Sequence, residues 1–178
     1  MRYSDGVSSC AGLITMLLGL SLSAFTTLHV IISLVGIVTG LAVVIGLLTG
    51  QRPGGITALF LLTTVLTSAT GFLFPFDKLL PSHIVGIISL VVLATALIAL
   101  YAFHLTGAWR WIYVVTALVA LWLNCFVAVA QSFQKLAFLH TLAPNGNEPP
   151  FIIAQVALLA IFVVIGVVAV RRFHPAQA

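Results

Sequence analysis

Blocks of about twenty or more apolar residues follow one another along this chain, separated only by short polar clusters. A helix needs about 20 apolar residues to cross the hydrocarbon core of a bilayer, and each block reaches that length. Charged side chains make up only 6% of the 178 residues, against about 25% in a soluble domain. A chain with so few charges cannot cover itself with a hydrated surface. We therefore predict an all-α fold, a polytopic bundle of transmembrane helices.

Block lengths predict about five transmembrane helices, four forming a core and one beside it. Glycine and proline mark the breaks: the cluster from Gly50 to Gly55 follows the first span, Pro75 and Pro81 bracket the next break, and Gly107 is expected to end the third span. The transmembrane domain is predicted to cover residues 21–172, followed by a cytoplasmic tail at 173–178. The predicted spans are 21–49, 56–76, 82–106, 109–132 and 150–170.

Residues 1–20 are predicted to be an N-terminal extension. The apolar stretch from Cys10 runs into the first span without a break, and one helix over residues 10–50 would be about 60 Å long, twice the hydrocarbon core of about 30 Å. Either translation begins at Met16, so that residues 1–15 are not part of the protein, or these residues form an extension that lies on the membrane surface. A signal peptide with Arg2 at its head is the other interpretation, although Asp5 weakens it.

The positive charge of the chain indicates orientation. The net charge is +4, but the arginines form no run that could follow a phosphate backbone, which excludes nucleic acid as a partner. One set of loops holds four arginines and no acidic residue, whereas the other holds lysines offset by acidic residues. By the positive-inside rule the arginine side is cytoplasmic, with the N-terminus outside a bacterial inner membrane and the C-terminus inside. The four arginines are Arg52, Arg110, Arg171 and Arg172.

Small and aromatic residues predict how the helices are placed. Ser33, Gly36 and Gly40 share a face of the first span, as close helix packing in lipid prefers. Trp109, Trp111 and Tyr113 are expected to form an aromatic belt at the inner interface.

Five histidine, asparagine and glutamine side chains lie in the outer halves of the predicted spans. A polar group in lipid is costly unless it faces protein, so such residues indicate a site. No Asp or Glu lies in a span, which argues against a carboxylate proton relay and against a paired-carboxylate hydrolase. The five residues are His29, His83, Asn124, Gln131 and Gln155.

These residues have a structural and a functional interpretation. In the first, Asn124, Gln131 and Gln155 form a polar intramembrane cluster whose amides bond across helices, each contact contributing about 0.6 kcal/mol. In the second, His29 and His83 are the axial ligands of a haem b, or contact a quinone head or another small ligand. A metal site of the zinc type would lack ligands. We expect no cofactor, with haem b as the alternative.

The sequence thus predicts a small integral inner-membrane protein without enzymatic activity, surrounded by the lipid bilayer. One alternative is a redox subunit that binds haem or quinone through His29 and His83. The other is a small transporter or channel-like oligomer. A homo-oligomer or a membrane partner protein is compatible with each of them.

Two segments carry a resemblance to a known family. The stretches "TGFLFPFDKLLPSHIVGIISLVVL" (70–93) and "AFHLTGAWRWIYVV" (102–115) resemble a family of small uncharacterised proteobacterial polytopic membrane proteins. Members of that family begin near "MLLGLSLSAF", which implies that the family-like region starts at Met16. A weaker similarity links the chain to predicted membrane proteins of the DUF2306 type. Neither resemblance implies an activity or a functional residue.

The arginine asymmetry generates a prediction about orientation. A cytoplasm-active reporter fused after Ala178 should be active and a periplasm-active reporter at the same position silent, because arginine-rich loops are retained in the cytoplasm. Fusions after residue 50 and after residue 136 serve as paired controls, since they should report opposite sides. Periplasmic activity at Ala178 would reverse the orientation.

Overall fold

The computed structural model describes residues 16–17, 19–74 and 81–174. Two short strands, β1 (Met16–Leu17) and β2 (Leu20–Ser21), pair antiparallel before the first helix. In the described residues six α-helices follow: α1 (Leu22–Thr49), α2 (Gly54–Gly71), α3 (Pro81–Leu97), α4 (Trp109–Lys135), α5 (Ala137–Leu142) and α6 (Pro149–Arg172). A π-helical turn, Ile98–Ala102, extends α3. Residues 1–15, which include most of the predicted extension, lie outside the described residues, so that prediction stays a prediction.

Five helical segments in the described part of the chain are long and apolar enough to cross a membrane. They confirm the predicted all-α bundle with five spans and make the chain, by helix length and composition, a multi-pass membrane protein. These segments are Leu22–Thr49, Gly54–Gly71, His83–Ala102, Trp109–Lys135 and Pro149–Arg172.

Two predicted span ends are wrong by several residues. The second span ends at Gly71 instead of 76, because the Phe72 N–H turns back to the carbonyls of Ala69 and Thr70. The third span ends at Ala102 instead of 106. There the backbone of Leu105 takes a left-handed conformation, and its N–H donates to the Ala99 carbonyl at 3.0 Å. The helix is therefore capped before Gly107 is reached.

Helices α1 to α4 form a closed ring in which each helix packs on the next and α4 returns to α1. Helix α6 lies outside the ring against α1 and α4, which gives the predicted four-helix core plus one. Because consecutive helices alternate in direction, α1 and α3 begin at the same end of the bundle at which α2 and α4 finish. We call this the cavity end and the other the packed end.

The packed end holds most of the hydrophobic core. Tyr113 and Phe173 are fully buried there, with ring centroids 6.1 Å apart, and Arg110 Nη1 donates to the Phe173 carbonyl at 2.7 Å. The predicted aromatic belt is therefore wrong for Tyr113, whose ring is covered by the end of α6. Trp111 is 48% exposed, as a belt residue would be. The first residue of the predicted tail, Phe173, is part of this core.

Two glycines allow α1 to approach its neighbours closely. A Cβ at Gly40 would lie 2.5 Å from Leu121 Cδ1 and 2.9 Å from Phe60 Cε2, so no side chain fits there without movement. Gly36, one turn earlier, is also buried. The small-residue face predicted for the first span is thus the face on which the ring closes.

Replacing Gly40 by leucine should destabilise the ring. Overpacking a filled core costs about 1–3 kcal/mol, so we expect G40L to lower the free energy of unfolding by about that amount, measured in mixed micelles of a mild detergent and dodecyl sulfate. G55L is the matched control, because a Cβ at Gly55 meets nothing within 4 Å. Equal stability of G40L and G55L would show that the close approach at Gly40 is not essential to the fold.

Candidate functional site

A cavity of about 780 Å³ opens between α1, α2, α3 and α4 at the cavity end. Its walls are mainly apolar, from residues such as Leu34 and Val127. Four of the five polar residues selected from the sequence line it: His29, His83, Asn124 and Gln131. Lys135 joins them where α4 ends. The lining residues reach only as deep as Ile37 on α1 and Leu123 on α4, so the cavity occupies about half the height of the ring.

His29 is held by α2 through its Nδ1 atom. Nδ1 lies 2.8 Å from Thr70 Oγ1, and the half-buried imidazole packs edge-to-face on Phe74, with ring centroids 5.2 Å apart. The Thr70 hydroxyl has one hydrogen, which it donates to the Leu66 carbonyl of its own helix at 2.7 Å. In that arrangement the Thr70 oxygen accepts from His29, and the neutral imidazole carries its proton on Nδ1. The Nε2 atom of this tautomer is a lone-pair acceptor, on a residue that lines the cavity.

His83 lies at the start of α3 and is buried. Its ring packs against Phe72 at a centroid distance of 5.8 Å. A Cβ at Gly86 would lie 2.9 Å from Phe72 Cζ, so the glycine one turn along α3 makes room for this ring. Phe72 and Phe74 place aromatic rings beside the two histidines. The charged residues Asp77 and Lys78, in the loop before His83, lie outside the described residues.

Asn124 lies deeper in the cavity, opposite Gly36. A Cβ at Gly36 would be 3.1 Å from Asn124 Nδ2 and within 3.3 Å of the hydroxyls of Thr63 and Thr64. Both hydroxyls donate to carbonyls of α2 itself. Within the described part of the chain, Asn124 Nδ2 is buried without a hydrogen-bond partner. A buried amide in this state has unused bonding capacity that a ligand could satisfy.

Gln155 does not belong to this group. Its Nε2 atom donates to the Phe126 carbonyl at 3.1 Å and so joins α6 to α4, outside the cavity. The predicted polar cluster is therefore divided: Asn124 and Gln131 line the cavity, and Gln155 holds the outer helix. For Gln155 the structural interpretation, an amide that bonds across helices, describes the contact.

Sequence reasoning missed several parts of the site. Ser68 donates to Ser89 at 2.9 Å and joins α2 to α3 at the cavity wall. The aromatic rings of Phe72 and Phe74 and the hydroxyl of Thr70 were also not selected. The serine and threonine residues along α2 indicate a polar helix face, but the residues that Ser68 and Thr70 contact, Ser89 and His29, lie on other helices.

Among the described residues, no three His, Cys, Asp or Glu side chains come together as metal ligands. The histidines could hold a haem only if both reached one iron. The contact of His29 Nδ1 with Thr70 is compatible with this, because a metal-binding imidazole donates its other N–H to a neighbour.

A second, apolar groove of about 520 Å³ runs between α4 and α6. Trp122, Phe162 and Gly166 line it, and Arg171 lies at its end. A groove on the lipid-facing side of a bundle is suited to an acyl chain.

No protein-family model matches this chain, and no curated protein or solved structure matches it. The family resemblance drawn from the sequence therefore stays a prediction.

Proposed function

We propose that this protein is a non-enzymatic membrane protein that binds a small lipid-soluble molecule with a polar head in the cavity between α1 and α4. The observation that carries the proposal is the cavity itself. Its volume of about 780 Å³ lies in the range of ligand sites, about 300–1,000 Å³, and apolar walls surround a few converging polar groups.

The chemistry of the lining supports binding over catalysis. Lys135 is the only side chain with a permanent charge among the described lining residues, and these include no carboxylate that could orient a histidine as a general base or act as a nucleophile. The serine hydroxyls have simple structural roles: Ser33 donates to the His29 carbonyl and Ser132 to the Ala128 carbonyl of their own helices.

The depth of the cavity supports a binding site over a channel. The lining stops near the middle of the ring, and the packed end below it is filled by residues such as Leu47, Phe60 and Leu121, each at most 2% exposed. A molecule that enters from the cavity end meets this packed core and cannot pass through the ring. Transport would need a second conformation of the ring.

In a bacterial inner membrane the cavity end would face outward. Arg52, Arg110, Arg171 and Arg172 all belong to the packed end, at the helix ends opposite the cavity. The positive-inside rule assigns that end to the cytoplasm. The ligand would then enter from the outer leaflet or from the space beyond it.

A haem b between His29 and His83 is the second candidate. The observation in its favour is that both histidines line the same cavity, each from a different helix. An absorption spectrum after haem-supplemented expression separates the two candidates, since bound haem gives a Soret band that an organic ligand lacks.

Filling the cavity should abolish binding. We expect S33F, on the cavity face of α1, to weaken binding of the fluorophore 1-aminoanthracene in nanodiscs by at least about tenfold, because about 1.4 kcal/mol of lost contact is enough for that change. V38F is the matched control, since Val38 is on the same helix but 66% exposed and outside the cavity. V127W fills the cavity from α4 and tests the same point independently. Unchanged binding in both cavity-filling variants would refute the proposed function.

A further inference from the structure

We propose that the ligand of this cavity is a quinol, a ring with para hydroxyl groups and an apolar tail, and that the site prefers the quinol to the corresponding quinone. This inference rests on the proposed function and adds the chemical class of the ligand and its redox state. It follows from the direction of one hydrogen bond.

We infer the direction from the bond that Thr70 makes within its own helix. If the Thr70 hydroxyl donates to Leu66 at 2.7 Å, it has only lone pairs to offer the imidazole 2.8 Å away. In that arrangement His29 donates from Nδ1, which leaves Nε2 as an acceptor. A ligand group that meets Nε2 therefore has to be a donor. A quinol hydroxyl is a donor, whereas a quinone carbonyl would place one lone pair against another.

The aromatic residues favour a flat ring over an aliphatic alcohol. Phe74 packs on His29 and Phe72 on His83, so aromatic rings adjoin both histidines on the cavity wall. Aromatic rings pack edge-to-face or offset against one another. Each such pair stabilises a complex by about 0.5–1.5 kcal/mol more than burial of the same apolar area would.

The depth of Asn124 fits the second oxygen of a para-substituted ring. Asn124 lies opposite Gly36, seven residues along α1 from His29, which is about 10.5 Å at 1.5 Å per residue. In a para-substituted ring the distance between the two oxygens, plus a hydrogen bond of about 2.8 Å at each end, is comparable to this distance along α1. An amide can donate or accept, so Asn124 would bind the second oxygen in either redox state. Discrimination between the two states is left to His29.

The ligand tail has an apolar route toward lipid. Val30, Leu34 and Ile37 line the cavity along α1, and Leu34 is 54% exposed at its edge. An alkyl or isoprenoid tail can follow this face without meeting a charged group. Lys135, the charged residue of the described lining, lies at the cavity end where α4 finishes.

The test compares three ligands that differ only at the head: a decyl-tailed benzoquinol, the matching benzoquinone and the dimethyl ether of the quinol. Binding to protein nanodiscs is measured anaerobically against empty nanodiscs, with the ligands quantified by chromatography. We expect the quinol to bind about tenfold more tightly than the quinone or the ether, the effect of one hydrogen bond kept or lost in a buried site.

Variants separate the donor requirement from general loss of structure. Thr70 is a positioning residue outside the cavity lining, and T70V should reduce the quinol preference to about twofold or less, because Nδ1 loses the partner that fixes its proton. H29F should remove the preference, because a phenylalanine ring has no acceptor for the quinol hydroxyl. T116V is the matched control: Thr116 makes the same own-helix bond, to Ile112 at 2.7 Å, and lies outside the cavity, so the preference should persist.

The outcomes distinguish this inference from the proposed function. Equal binding of quinol, quinone and ether, or a preference unchanged in T70V and H29F, would overturn the inference and leave the binding function in place. A third outcome would also overturn the inference and leave the binding function in place: 1-aminoanthracene binds and S33F weakens its binding, but none of the three ligands binds. Failure of all four probes would refute the proposed function itself.

Discussion

A bilayer offers no hydrogen-bond partner to a side chain, and this constraint determines how the polar residues of the protein are arranged. Most of the hydroxyls described on the spanning helices satisfy it locally, by donating to the carbonyl four residues earlier. Thr39, Thr64, Thr95 and Thr116 all do so. Thr70 follows the same rule, but its oxygen also faces His29. A local solution to the bilayer constraint thus leaves the Thr70 oxygen able to accept from a side chain of another helix.

Packing divides the ring into two halves with different roles. At the packed end, glycines on α1 bring backbones together and large side chains such as Phe60 and Tyr113 fill the centre. At the cavity end the same helices carry smaller and polar side chains, among them Ser33, Ser89 and Ser132, and the centre stays open. The packed half supplies the stability that lets the other half keep a cavity.

Much of the fold was predictable because span number depends on the lengths of apolar blocks, which are visible in one sequence. The meeting of His29 and Asn124 at one cavity was also predictable, since polar side chains in lipid turn toward other helices. Gln155 was misplaced because the same rule is satisfied by the Phe126 carbonyl on a neighbouring helix. The pairing of His29 with Thr70 depends on how α1 and α2 rotate about their axes, and a sequence pattern gives that rotation only coarsely.

The site works in a solvent that is itself apolar, and this changes which contacts decide binding. A cavity open to lipid is filled by acyl chains when no ligand is present, since an empty space would forfeit dispersion contacts along its walls. A ligand tail that replaces an acyl chain therefore gains little, because one hydrocarbon takes the place of another. The difference lies in the head, where an acyl chain can offer nothing to His29 Nε2 or to the Asn124 amide. In water a single hydrogen bond would be a small part of the affinity. In this cavity it is a large part of what distinguishes a ligand from the lipid around it.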